Sequence, residues 1–216
     1  MAGMEPESAE EFYARVEAAT GPDGRLEVAV EEMPGWDIFT FEIDSLRMKP
    51  LQPLADEEPA RGGEDPAECS CAGDPDPALD QREVWSNERW VLHLDAHSRL
   101  PIGLNLGPRE HCDLPTVPDH LAGEMGTLIV AVSAAVEALP GVGRVQLAKY
   151  GDGGAHLHLF FFGRPARMLQ LRGSPLLDWE ENLPPVPLEV HRANAEAVAE
   201  RLLATVGGTG PAWLRG

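Results

Sequence analysis

Gly151-Asp152-Gly153-Gly154-Ala155-His156-Leu157-His158-Leu159-Phe160-Phe161-Phe162 is the stretch on which the reading of this chain turns. Read as a β-strand, residues 156–162 alternate faces with a period of two. His156, His158, Phe160 and Phe162 then share one face, and Leu157, Leu159 and Phe161 take the other. Two imidazoles fall side by side. The glycines before them let the backbone turn sharply and bring N–H groups close to an anion such as phosphate. A reactive or metal-binding site is expected here, although a single strand histidine is more simply a packed or solvated residue.

Working outward, Val145, Leu147 and Tyr150 read as a strand that pairs with the histidine strand as a hairpin. Thr116-Val117-Pro118-Asp119 has the cap, early proline and first-turn acid of a helix start. Leu121, Met125, Leu128, Val132 and Val136 follow at spacings of three and four until Pro140-Gly141. Residues 84–85, 89–94 and 102–106 read as three further strands, the last stopping at Gly107-Pro108. A proline-rich crossing over 175–187 leads to a final helix near 188–206. About five strands with helices that do not alternate with them predict an α+β fold built on an antiparallel sheet.

The front of the chain differs. Ser8-Ala9-Glu10-Glu11 is a capping-box pattern opening a short helix through Phe12, Val16 and Ala19, and Gly21-Pro22-Asp23-Gly24 stops it. Leu26, Val28 and Val30, then residues 38–43, suit a hairpin. Residues 49–80 are rich in Pro, Gly and acid and lack periodicity, so an irregular excursion or mobile loop is expected. Residues 1–80 hold 21 acidic against 5 basic side chains, which accounts for most of the net charge of −19. The expected organisation is an acidic N-terminal elaboration over 1–80 and a main domain over 81–216 that carries the C-terminal helix.

Such a surface repels nucleic-acid backbones and anionic lipid, so neither is expected as a partner. No apolar run is long enough to span a bilayer, and the first residues lack the regions of a signal peptide, so a cytoplasmic protein is expected. Three cysteines, Cys69, Cys71 and Cys112, are an odd number that argues against a disulfide framework and for reduced thiols or a metal site. Arg outnumbers Lys 15 to 2, a usage that fits a GC-rich bacterial genome.

Pro108-Arg109-Glu110-His111 before the long helix and His156-Leu157-His158 after the glycine turn together resemble the histidine triad (HIT) superfamily of nucleotide hydrolases and transferases. The likeness runs over about residues 83–166. It implies a five-stranded antiparallel sheet with packed helices, commonly a homodimer, and a small-molecule nucleotide whose phosphates lie at the glycine turn. It also implies that His158 is the nucleophile, that His156 orients the site and that His111 is the upstream histidine. Gly153 and Gly154 N–H groups, with Arg109 or Lys149, would then hold the phosphate oxygens. No cofactor is required by that chemistry. Some members of the superfamily bind structural zinc through two cysteines and two histidines, and Cys69, Cys71, His111 and His156 supply those ligand types.

The chain departs from the family at its third triad position, where Phe160 stands in place of histidine. A phenyl ring neither donates to phosphate nor protonates a leaving group. A nucleotide-binding or protein-interaction module without catalysis is therefore the alternative to a nucleotidyl hydrolase or transferase. A metal-dependent barrel enzyme of the cupin kind also uses His-x-His, but no acid follows over 159–163 and a long helix precedes the histidines.

Overall fold

The structure is a computed structural model, and it describes residues 14, 16–26, 50–73 and 81–215. The capping pattern at 8–11 and the expected strands carrying Val28, Val30 and residues 38–43 lie outside these residues. The chain divides into two compact units, Met1–Pro59 and Ala60–Gly216. In the first, the Gly24 N–H donates to the Gly21 carbonyl at 2.9 Å, so the expected turn at Gly21-Pro22-Asp23-Gly24 is present.

The second unit holds strands β1 (Glu83–Ser86), β2 (Trp90–Leu94) and β3 (Ile102–Pro108), then helix α1 (Asp119–Glu137). Strands β4 (Val142–Ala148) and β5 (Leu159–Pro165) follow, with a short helix α2 (Leu176–Glu180) and a long helix α3 (Leu188–Val206). The five strands form one antiparallel sheet in the order β1-β2-β3-β5-β4. This is the five-stranded α+β architecture expected from the sequence. β4 and β5 pair with each other, Leu147 opposite Phe161 and Val145 opposite Gly163, as the predicted hairpin requires. The sheet is open, not a barrel.

Each face of the sheet buries a different set of side chains. Leu92, Leu104, Leu106 and Phe161 pack with Leu121, Leu128, Val132 and Val136 of α1 and with Ala195, Val198 and Leu202 of α3. Burying each such aliphatic side chain contributes roughly 1.5–3 kcal/mol, so the stripe that repeats every three or four residues is what seats α1. On the opposite face Phe162 joins Leu100, Leu171 and Leu176, with Phe160 and Trp179 packed against them. Alternation along β5 therefore sends Phe161 into the main core and puts Phe160 and Phe162 together on the other side.

Helix ends follow local chemistry. The Asp113 carboxylate accepts from the Leu114 N–H at 2.7 Å and caps a 3-10 turn over Leu114–Thr116, from which the chain enters α1. α1 has Pro118 as its N-cap and Asp119 in its first turn. A proline there forfeits no hydrogen bond, and an acid favours the positive helix end. α2 lies inside the proline-rich crossing, where the sequence pattern predicts no helix. Five residues are too few to show periodicity, and contacts of Leu176 with Leu100 and Phe162 hold the turn. At the β1 edge, Ser86 and Thr209 exchange backbone hydrogen bonds of 3.0 and 2.7 Å, which covers a strand edge that would otherwise be open. Gly208, at φ +97°, passes so close that a Cβ would sit 2.6 Å from Trp85 Nε1. Among the described residues, no helix is long and apolar enough to cross a membrane.

Gly163 shows how tightly β5 is held between its neighbours. A Cβ there would meet Ile102 Cγ2 at 2.8 Å and Val142 Cγ2 at 3.1 Å. Gly163→Ala is expected to cost about 1–3 kcal/mol of stability through overpacking, read as a lower denaturation midpoint at unchanged slope. An unchanged midpoint would mean that the two flanking strands yield freely.

Candidate functional site

The two histidines of the decisive stretch do not both lie in the strand. The ladder of β5 begins at Leu159, because the Leu157 N–H bonds to the Cys112 carbonyl at 2.7 Å instead of to a sheet neighbour. Tyr150 likewise falls past the end of β4. The extended lead-in keeps the alternation but turns the two imidazoles to different tasks.

His158 faces Phe160, with ring centroids 5.0 Å apart and planes at 88°. Its Nδ1–H donates to the His156 carbonyl at 2.7 Å. That bond fixes the tautomer and leaves Nε2 with its lone pair, which among the described residues has no hydrogen-bond partner. Gly154 lies beside the ring, where a Cβ would come within 3.7 Å of His158 Cε1. None of Gly151, Gly153 and Gly154 has a positive φ, so the turn does not need glycine for its conformation. A Cβ at Gly151 would reach 2.6 Å from Lys149 Nζ, the movable end of a flexible side chain, and one at Gly153 would meet nothing within 4 Å.

His156 has different partners. Its Nε2–H donates to the Pro108 carbonyl at 2.8 Å, so Nδ1 is unprotonated and lies 3.4 Å from Cys69 Sγ. Burial holds this imidazole below the ordinary histidine value, and the neighbouring His111 and His158 push it the same way. His111 stacks edge-on to His156 at 5.4 Å, and its Nδ1 is 3.6 Å from Cys71 Sγ. Ligand atoms of Cys69, Cys71, His111 and His156 all lie within 4.8 Å of one another.

These four fit a tetrahedral ion. Zinc bonds of about 2.3 Å to sulfur and 2.0–2.1 Å to nitrogen give a sulfur–nitrogen edge of about 3.5 Å, close to the 3.4 and 3.6 Å separations found. The Pro108 carbonyl is the outer partner that a ligating imidazole needs. Burial and then the nearby Cys69 raise the Cys71 thiol to about 11, an arrangement of two thiols that a cation would relieve. Cys69 is the extended junction between two 3-10 turns, Pro66–Glu68 and Ser70–Ala72, and Cys71 lies in the second, within the segment expected to be irregular. Cys112 is buried in the main core with its thiol raised, chiefly by burial, and is not part of the group.

Of the basic residues singled out from sequence, Lys149 pairs its ammonium with Asp113 Oδ1 at 2.9 Å beside the glycine turn. Arg109 donates through Nε to the Asn87 carbonyl at 3.0 Å and lies 3.8 Å from Glu83. Two residues that sequence reasoning missed complete the surroundings. Arg61 donates to Asp113 Oδ2 at 2.7 Å and to the Gly151 carbonyl at 3.2 Å. Burial alone would raise the Asp113 carboxyl, but the hydrogen bonds from Arg61 and Lys149 override it and hold the group at about 2. No local motif could have exposed this pairing, since 52 residues separate its members.

On the far side of Phe160 lies a cavity of about 430 Å³, lined among others by Phe162, Leu177, Asp95, Arg99 and Glu180. Phe160 and Phe162 stack with centroids 5.8 Å apart and planes 5° from parallel, forming an apolar floor. The loop that bears Asp95 is tied to α2, because Ser98 Oγ and the Arg99 N–H both donate to Glu180 Oε1, at 2.5 and 3.1 Å.

No family model and no curated protein matches the chain. Among solved structures, it is similar to a zinc-bound histidine triad family protein from Mycobacterium smegmatis. The two are 19% identical over 62% of this chain and 92% of that one, with a TM-score of 0.45. It is similar to a histidine triad protein from Sinorhizobium meliloti, at 18% identity over 59% and 96% and a TM-score of 0.48. A hypothetical histidine triad nucleotide-binding protein from Sulfolobus tokodaii is similar at 14% identity over 60% and 91%, with a TM-score of 0.46.

Proposed function

We propose that the chain is a nucleotide-binding protein of histidine-triad type, with His158 as the nucleophile of a nucleotidyl hydrolase or transferase. The observation that carries this reading is the division of labour between its two histidines. His156 turns its free nitrogen toward two cysteines, whereas His158 is left with Nδ1 bonded to backbone and Nε2 open beside the glycine turn. That is what a covalent step on phosphorus needs: a neutral imidazole in one tautomer, held rigidly. His158 Nε2 attacks phosphorus, a P–N bond forms, and the P–O bond to the leaving group breaks with its electron pair on oxygen. Water or another acceptor then takes the nucleotidyl group and frees the imidazole. N–H groups of Gly153 and Gly154 donate to the phosphate oxygens and stabilise their charge, and the base lies over the Phe160–Phe162 floor.

Phe160 bears on the leaving group. With no imidazole at that position to supply a proton, a group that departs as a stable anion, such as phosphate or pyrophosphate, suits the site better than an amine. Cys69, Cys71, His111 and His156 would hold structural zinc, which supplies a rigid tie between their segments and no part of the transfer. A homodimer belongs to the same reading, and the acidic chain is expected to bind neither nucleic acid nor membrane.

Calorimetric titration with nucleoside mono- and diphosphates tests the reading, and saturable binding to the folded protein is expected. Silence at millimolar ligand would favour a protein-interaction module. Phe160 also supports a second reading, a nucleotide binder without catalysis, and Phe160→His separates the two. If the rest of the site is competent, the restored imidazole is expected to raise hydrolysis by about 10²-fold. No gain, with affinity intact, would favour the binder.

A further inference from the structure

We propose that Arg61 is a positioning residue that couples the Cys/His centre to the glycine turn, so that occupancy of the centre sets how well the turn receives a phosphate. The inference rests on the nucleotide reading above and adds a residue and a linkage to it.

The physical link is a short piece of chain, residues 61–71. At one end it pairs with the glycine turn: the Gly62 N–H donates to the Gly153 carbonyl at 3.1 Å, and the Ala155 N–H donates to the Gly62 carbonyl at 3.0 Å. At the other end it carries Cys69 and Cys71. Between them the chain folds back on itself at Gly63, whose φ is +73° and whose added Cβ would meet Cys69 Cα at 3.3 Å. Glycine suits such a position better than any residue with a Cβ. The thiols and the turn-pairing backbone are therefore parts of one compact loop, and Cys69 reaches His156, the neighbour of Ala155.

Arg61 adds the second hold. Its guanidinium bridges the Gly151 carbonyl, at the start of the turn, and the Asp113 carboxylate, two residues past His111. Lys149 grips the other oxygen of Asp113. The glycine turn is thus held at Gly151 by Arg61 and at Gly153 and Ala155 by Gly62, while both cysteines anchor the same loop to the two histidines. A charge-assisted bond of this kind between segments far apart in sequence is a strong one, and removing it leaves Asp113 with Lys149 and its local cap to the Leu114 N–H, neither of which reaches the Gly151 carbonyl. If the centre is emptied, the loop loses one anchor, and the turn loses order that nucleotide binding must then supply.

The test uses full-length protein, loaded with zinc or stripped by chelator, as wild type, Arg61→Ala and Arg61→Lys. Two measurements are made: adenosine monophosphate affinity by calorimetry, and exchange of the Ala155 amide. Cobalt substitution, read by its visible spectrum, checks that Arg61→Ala still builds a four-ligand centre. Chelation is expected to weaken nucleotide binding about tenfold in wild type and to speed Ala155 exchange, a size usual for coupling between sites. Arg61→Ala, with the cobalt spectrum intact, should bind as weakly as stripped wild type and respond little to chelation, and Arg61→Lys should restore part of the affinity. Affinity and exchange that ignore both Arg61 and the metal would overturn the linkage while leaving nucleotide binding in place. Exchange that responds without any nucleotide heat would overturn the nucleotide reading and keep Arg61 as the residue that orders the turn.

Discussion

His158→Ala is expected to lower turnover of a nucleoside phosphate derivative by about 10³-fold or more, while the protein stays folded. The size follows from the role assigned to Nε2, since without an atom to form the P–N bond the covalent route closes altogether. The effect on folding is small because the ring is only half-buried and its hydrogen bond to the His156 carbonyl is local. Such a bond is worth about 0.5–1.5 kcal/mol net. Mass spectrometry of quenched wild-type enzyme should show the nucleotidyl adduct on His158, and circular dichroism should show the variant unchanged. Activity that survives in His158→Ala would remove the covalent mechanism. His156→Ala should act by a different route, through the Cys/His centre, and lose bound metal along with activity.

Metal removal carries the second large effect, on stability. With Cys69, Cys71, His111 and His156 as ligands, one zinc ion per chain is expected, lost in Cys69→Ser and Cys71→Ser and retained in Cys112→Ser. An ion that binds the folded state alone stabilises it by about 4 kcal/mol when its free concentration is 1,000 times its Kd. For a unit of this size that corresponds to about 8–16 °C in Tm. Metal analysis, with thermal melts before and after chelation, measures both quantities. The centre ties residues 69 and 71 to residues 111 and 156, so the loss should appear as earlier melting of the whole unit. A Tm that does not respond to zinc in wild type, or responds equally in Cys69→Ser, would discard the four-ligand site.

Local pattern carried much of the architecture. The stripe from Leu121 to Val136 determined which face of α1 is buried, because a helix repeats every 3.6 residues whatever surrounds it. Period-two alternation likewise determined that Phe161 enters the main core while Phe160 and Phe162 lie opposite. The ligand types were also legible: cysteines and histidines are few enough in this chain that their names alone pointed to a metal group. Tertiary structure decided what each imidazole does. His156 and His158 look equivalent in a strand, and the Pro108 carbonyl and Cys69 beside His156, against the His156 carbonyl beside His158, distinguish them. The same holds for Arg61 and Asp113, whose neighbours in sequence announce a solvated acidic loop and a helix cap. Their pairing across 52 residues, and the hold it takes on Gly151, exist only once the folded chain brings those segments within hydrogen-bond range.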